Sequence, residues 1–292
     1  MKKILNFTVL FLFLFFIICT ILLIQIFYQT NQQKFLKIVF LKVGQGDAIF
    51  IETPNGFQTL IDAGPNSTVV RSLSEFLPFH DRSIDLLIAT HSDADHVAGF
   101  VDIINRFKIK SFGQNSVFDS DGLNTEINNL IKTQKIDKYF LHAGNKIILD
   151  DEENIYIEII WPPKDLIEKD NNDNSVVTRI VYGDTKIMLT GDASVEVEEK
   201  LLKNNLQSNI LKAGHHGSRT ATSLEFLNVV SPEYIIMSAG EGNKFGHPHQ
   251  DVLNRINTFK ENLQPQKTKI LETYVLGSIE FRSDGQTIWI EE

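Results

Sequence analysis

Residues 91–96 read His-Ser-Asp-Ala-Asp-His, between an apolar run at Ile84–Thr90 and a helical pattern from Val97 to Phe107. Four side chains able to ligate a cation therefore fall where a strand hands over to a helix, the place where α/β folds gather reactive groups. In an extended loop, residues two apart point the same way, so His91 and Asp93 are expected to grip one ion while the adjacent Asp95 and His96 diverge toward a neighbouring position. The spacing suits two metals. Helix capping is a plainer use for one carboxylate, and Asp95 would serve, but a cap needs a single Asp or Ser and leaves both histidines unexplained. Gly99 permits close backbone approach as the helix begins.

Three more strand ends carry candidate groups: Asp192 in MLTGDAS, His215 and His216 in LKAGHHGS, and His247 in NKFGHPH. Asp192 precedes a helix and competes with a simple N-cap role. Two adjacent imidazoles between glycines suggest one ligand and one neighbour that meets substrate. His247, before Pro248, is either a substrate contact or a solvent-exposed loop residue, and His80 and His142 read as ordinary surface histidines. Cys19 is the only cysteine, so the domain has no internal disulfide and no thiolate, and any metal must rest on nitrogen and oxygen.

Strands are expected at Leu36–Val43, Ala48–Glu52, Gln58–Asp62, Ile84–Thr90, Ile109–Phe112, Lys146–Leu149, Ile155–Trp161, Val176–Tyr182, Lys186–Thr190, Asn209–Leu211 and Tyr234–Ser238, with a C-terminal pair over Ser278–Ile290. Asn55-Gly56 and Gly183-Asp184 mark hairpin turns. Helices are expected at Val69–Leu77, Val97–Phe107, Val195–Leu202 and Thr222–Val229, and Pro162–Asn174 reads as a polar surface loop. Two strand-rich halves that each carry helices predict an α/β chain of two face-to-face sheets with helices outside, an αββα four-layer sandwich.

Lys2 and Lys3 are followed by no charged residue before Lys34, and Val9–Ile24 holds one polar residue, Thr20. About thirty uncharged residues, at ~1.5 Å each, can cross a ~30 Å hydrocarbon core. The expected organisation is a transmembrane anchor over residues 1–28, a linker over 29–35 and one domain over 36–292. Lysines before the run and none just after it place the N-terminus in the cytoplasm and the domain outside, on a single-pass cell-membrane protein. No small-x-small cleavage site follows the run. A net charge of −9 argues against indiscriminate nucleic-acid coating but leaves room for a local basic groove, for which Lys212, Arg219 and Lys244 are the candidates.

The segments FLKVGQGDAIFIE (40–52), TLIDAG (59–64), ATHSDADHVAGF (89–100), NSVVTRIVYGDTKIMLTGD (174–192), LKAGHHGS (211–218) and SAGEGNKFGHP (238–248) together resemble the metallo-β-lactamase superfamily, and within it the extracellular domain of ComEC-type competence DNA-uptake proteins. The resemblance runs from about Phe35 to the C-terminus. It implies a metal-dependent hydrolase with two divalent ions held by His91, Asp93, Asp95, His96, Asp192 and one of the adjacent histidines, for which His215 is preferred. Asp192 would bridge the ions, and Asp62 would support the motif loop. Two departures stand out. Asp93 replaces the superfamily's second histidine, as in competence-type members, and the further histidine usual before the bridging aspartate is missing, Asn174 being the nearest polar residue. A site richer in oxygen shifts the preference from zinc toward manganese, although both remain suited. The channel family surrounds this domain with many membrane helices, whereas here one is expected.

Two cations can bring the pKa of water toward neutrality and polarise the bond under attack. Asp95 or Asp192 would orient that water, and His216 and His247 would contact substrate or protonate the leaving group, so Asp95, His216 and His247 are the catalytic candidates. The leading expectation is an extracytoplasmic phosphodiesterase or nuclease acting on single-stranded DNA. The alternatives are a hydrolase of a small ester, lactone or cell-surface phosphoester, and a non-catalytic, membrane-tethered binding module. No motif addresses a protein partner.

Overall fold

The computed structural model describes residues 11–24, 35–117, 122–165, 168–262 and 268–291. Its contacts divide the chain into Met1–Lys34 and Phe35–Glu292. In the larger unit, short continuous apolar runs such as LKIVF (Leu36–Phe40) and TKIML (Thr185–Leu189) form strands buried on both faces. Successive side chains point to opposite faces, so Val39 enters one apolar cluster while Ile38 and Phe40 enter another, and Met188 is divided in the same way from Ile187 and Leu189.

Eight strands make the first sheet, in the order Ile288–Ile290, Ile279–Ser283, Leu36–Phe40, Ile49–Glu52, Gln58–Ile61, Ser83–Ala89, Lys108–Gln114, Asp137–Phe140. Seven make the second: Lys269–Glu272, Tyr234–Met237, Ile210–Lys212, Thr185–Leu189, Val177–Tyr182, Ile155–Trp161, Lys146–Asp150. Three apolar clusters separate four layers. One lies between the first sheet and helices Thr68–Ser74, Gly99–Arg106 and Gly122–Gln134, and includes Leu73, Phe100, Phe112 and Ile127. One lies between the sheets, with Phe40, Ile88, Ile157, Ile187 and Phe281. The third lies between the second sheet and helices Val195–Leu201, Leu224–Val230 and Gln250–Asn262, with Val197, Leu211, Phe226 and Phe259. The expected αββα arrangement is thus a two-sheet α/β sandwich in the structure.

Parallel pairing determines where the loops gather. Gln58–Ile61, Ser83–Ala89 and Lys108–Gln114 run parallel, as do Thr185–Leu189, Ile210–Lys212 and Tyr234–Met237, so each block delivers its C-terminal loops to one rim. Among the described residues two long helices stand outside the expected set, Gly122–Gln134 and Gln250–Asn262, as does the single turn Thr273–Leu276. Both long helices carry a legible stripe, Leu123, Ile127, Leu130 and Ile131 in one and Val252, Ile256 and Phe259 in the other. The helix expected from Val97 begins instead at Ala94, placing Asp95 and His96 on a helical turn.

Residues 11–24 are helical, and apolar side chains from Phe11 to Ile24 are exposed along them. The rest of the anchor expected over residues 1–28, and most of the 29–35 linker, lies outside the described residues. Among the described residues no helix is long and apolar enough to cross a membrane.

Candidate metal centre

Asp62 organises the rim. It follows the Gln58–Ile61 strand in a left-handed conformation (φ 56°) and is buried. Its carboxylate accepts from Thr90 N–H (2.8 Å), from the Thr90 hydroxyl (2.7 Å) and from His96 Nδ1 (2.7 Å). Because the Thr90 hydroxyl donates to Asp62, it is free to accept from His91 Nδ1, 3.0 Å away. A single carboxylate therefore puts the proton of both imidazoles on Nδ1 and turns both Nε2 atoms inward. This is the supporting role expected of Asp62.

His91 and Asp93 lie on one side, Nε2 and Oδ2 being 3.6 Å apart, as the extended spacing predicted. Asp95 and His96 do not diverge. The helical turn brings Asp95 Oδ2 to 3.4 Å and His96 Nε2 to 3.2 Å from one atom, His216 Nε2. Asp192 reaches the same place from the second sheet, with Oδ1 3.3 Å from His96 Nε2 and Oδ2 3.4 Å from His216 Nε2. Neither carboxylate is a helix cap: Asp95 lies within the first turn, and Ser194 caps the Val195–Leu201 helix by accepting from Glu196 N–H.

Of the adjacent histidines, His216 and not His215 completes the buried cluster. Asp47, His96, Asp192 and His216, all buried, present ligand atoms within 4.8 Å of one another. His215 is half-buried, its Nε2 3.5 Å from Asp192 Oδ2, and it lines a cleft of about 460 Å³ with Asp170, Asp173, Glu196, Arg219 and Thr220. Both histidines adopt left-handed backbone (φ 48° and 55°), which disfavours an L-residue by about 1–2 kcal/mol. Gly217 (φ 83°) continues the turn, and a Cβ there would meet Pro248 Cβ at 2.7 Å. The strain splays two consecutive rings, one into the core and one toward the cleft.

His247 is half-buried, its ring 5.6 Å from that of His215, with Gln45 Nε2 3.5 Å from its Nδ1. Burial, then the charges of His216 and His249, lower its pKa to about 4. This favours the uncharged ring near neutral pH.

Sequence reasoning missed two residues, Asn171 and Asp47. Asn171, from the loop read as surface, donates to Asp93 Oδ1 at 2.6 Å and so fixes that candidate ligand. Asn174, in contrast, is occupied within its own loop, accepting from Glu168 N–H and donating to Glu168 O and Asp170 O. Lys212, expected to meet phosphates, is buried and paired with Asp47. The signal for Asp47 was present in the GQGDA motif, but its partner lies far along the chain.

The electrostatics favour positive charge at the centre. Burial pushes His96 and His216 down, but Asp192 together with Asp62 or Asp47 holds both well above the usual histidine range. Burial raises Asp192, and His216 and His96 outweigh it, holding the carboxyl well below its usual range. His91, its Nε2 3.6 Å from the carboxylate, lowers Asp93 against the effect of burial. His91 Nε2 and Asp192 Oδ1 are buried without a hydrogen-bond partner, since His96 stands near the latter without hydrogen-bonding geometry. Buried unpaired acceptors among clustered carboxylates fit a divalent cation.

A model of the metallo-beta-lactamase superfamily matches residues 41–240. The chain is 26% identical over 285 residues to ComE operon protein 3 of Bacillus subtilis (strain 168), covering 91% of this chain and 35% of that protein. It is 30% identical over 247 residues to competence protein ComA of Neisseria gonorrhoeae, covering 82% and 31%. The chain thus spans about a third of the length of either relative. Among solved structures, CmlA, a diiron beta-hydroxylase from Streptomyces venezuelae, superposes with TM-score 0.56 at 11% identity, covering 87% of this chain and 55% of that one. A long form RNase Z from yeast gives 0.50 at 11%, covering 83% and 41%. At such identities the likeness is one of fold.

Proposed function

This chain belongs to the metallo-beta-lactamase superfamily, and from that premise we propose that it is a divalent-metal-dependent phosphodiesterase working outside the cytoplasm. The observation that carries the proposal is the convergence of His91, Asp93, Asp95, His96, Asp192 and His216 from two sheets, with His91 Nε2 and Asp192 Oδ1 buried and unpaired. His91, Asp93 and Asp192 would hold one ion, and Asp95, His96, Asp192 and His216 the other. When bound, divalent cations supply Lewis acidity and water acidic enough to attack near neutral pH without a Ser or Cys nucleophile. Three carboxylates with three imidazoles suit zinc or manganese.

The chain's own groups divide the remaining work. Asp62 and Thr90 orient two ligands, and Asn171 holds a third. Asp95 is partly exposed, and its carboxyl is kept low by His216 and His96 against the effect of burial, so it stays ionised and can accept a proton. His215 lines the cleft and His247 lies beside it, ring to ring 5.6 Å, and both would donate hydrogen bonds to substrate. The competence proteins among its relatives make single-stranded DNA the first substrate to assay. The apolar helix at residues 11–24, with two lysines ahead of it, supports attachment to the membrane with the domain outside.

One observation favours a smaller substrate. Asp170, Asp173 and Glu196 line the cleft beside His215, against Arg219 as the cation among its lining residues, and this charge balance disfavours a polyanion. The deciding experiment supplies the full chain with manganese or zinc and compares single-stranded DNA, a generic phosphodiester and small carboxylic esters, beside Asp95→Ala and Asp192→Ala. Metal-dependent phosphodiester cleavage lost in both variants upholds the proposal. Turnover of small esters alone moves the function to the second reading. Metal binding without turnover of any of them makes the domain a binding module.

A further inference from the structure

Lys212 and Asp47 form an ion pair inside the protein that the chemistry above does not use. Lys212 ends the Ile210–Lys212 strand with its whole side chain buried, Nζ 2.9 Å from Asp47 Oδ2 and donating to Ala213 O at 2.9 Å. Taking an ammonium and a carboxylate out of water carries a desolvation penalty that a surface pair would avoid. Tying a loop to a strand does not require it.

What the pair touches gives the reason. Asp47 Oδ1 has no hydrogen-bond partner and stands 3.3 Å from His216 Nδ1. That nitrogen donates to Ser238 O at 3.0 Å, so its proton sits between a carbonyl and a carboxylate, and Nε2 is left facing Asp95, Asp192 and His96. His96 is arranged in the same way, with Asp62 behind its Nδ1. Asp62 is balanced by Thr90 N–H and O–H, whereas Asp47 is balanced by Lys212. Asp47 has an oxygen within 4.8 Å of ligand atoms of His96, Asp192 and His216, but it meets His216 at Nδ1, the ring nitrogen opposite the Nε2 that faces Asp95, Asp192 and His96. Its neighbours in the same turn also serve the centre: a Cβ on Gly46 would lie 2.1 Å from Asp95 O, and Gln45 contacts His247 while accepting from Gly240 N–H.

We propose that Asp47, charge-paired with Lys212, is a positioning residue for His216 and sets the affinity of the metal position that His216 completes. The inference rests on the metal reading above. The double variant Asp47→Asn/Lys212→Met removes both charges at nearly constant volume, an exchange that buried pairs often tolerate without loss of stability. Folding and positioning are thereby separated.

The full chain, stripped with chelator, is titrated with zinc or manganese against a competing chelator. The Nδ1–H signal of His216, identified by its absence in His216→Gln, is followed by ¹⁵N-edited NMR on the stripped chain. The double variant is expected to melt with the wild type, to keep one tight ion and to bind the other about 10- to 100-fold more weakly. Its His216 Nδ1–H is expected to shift and to exchange faster with solvent. A double variant whose Nδ1–H signal is unchanged, or which binds both ions like the wild type, overturns the inference. If the wild type takes up no ion, the metal reading fails, and the NMR measurement still decides whether Asp47 positions His216.

Discussion

Asp62→Asn tests how the centre is built, because Asp62 accepts three hydrogen bonds and reaches a second imidazole through Thr90. An asparagine has one acceptor oxygen. If it keeps Thr90 N–H, its NH₂ faces the Thr90 hydroxyl and His96. His96 Nδ1 must then accept, and the ring proton moves to Nε2, where it points at the atoms that would share the ion. Losing one charged hydrogen bond in a buried site costs about 1.5–3 kcal/mol. At ~2–4 °C per kcal/mol for a domain of this size, melting should fall by roughly 3–12 °C. Metal affinity should fall about 10- to 100-fold, and at both positions, since His91 and His96 depend on the same carboxylate. Asp62→Ala leaves three buried donors unsatisfied and should destabilise further, by about 3–5 kcal/mol. Calorimetry of the stripped chain and metal titration against a chelator measure the two effects. An Asp62→Asn chain that melts with the wild type and binds both ions as tightly would refute the orientation argument.

Gly99→Ala should destabilise by about 1–3 kcal/mol or more, seen as a lower denaturation midpoint, because its Cβ would stand 1.9 Å from Ala63 O, backbone that cannot swing away. Lys212→Met alone leaves the Asp47 carboxylate buried and uncompensated and should cost about 3–5 kcal/mol, unlike the double variant; equal melting of single and double would contradict this. Burial raises the Glu198 carboxyl to about 7 even though it accepts from Thr222 and Ser223 N–H. The folded chain therefore holds this proton more tightly than the unfolded one. The associated stability is present below the unfolded value near 4.5 and is lost as pH rises through about 7, on the order of 3 kcal/mol in all. Glu198→Gln should remove that contribution, so wild type minus variant stability declines across this window; a constant difference from pH 4 to 8 would disprove it.

Much of the fold was legible because it depends on local pattern. Short apolar runs such as Ile84–Thr90 have the length of buried strands and form them, and Asn55-Gly56 and Gly183-Asp184 turn where expected. The Gly122–Gln134 and Gln250–Asn262 helices were overlooked although their stripes are regular, since polar residues dilute them. At the site, the candidate groups were readable from residue type, and the structure brings His91, Asp93, Asp95, His96 and Asp192 close together. Which of two adjacent histidines turns inward was not readable, because that choice rests on left-handed backbone at both and on Ser238 and Asp47 gripping one ring.

By itself, then, the sequence determined which groups stand at strand ends and that the strands carry apolar side chains on both faces, since spacing and periodicity are local properties of a chain. Only the tertiary structure decided that Asp47 balances Lys212, that Asn171 holds Asp93 and that Asp62 governs both His91 and His96. Those pairings join residues far apart in the chain. They come into being when two sheets pack face to face, bring their rims together and exclude the water that would otherwise satisfy each charge separately.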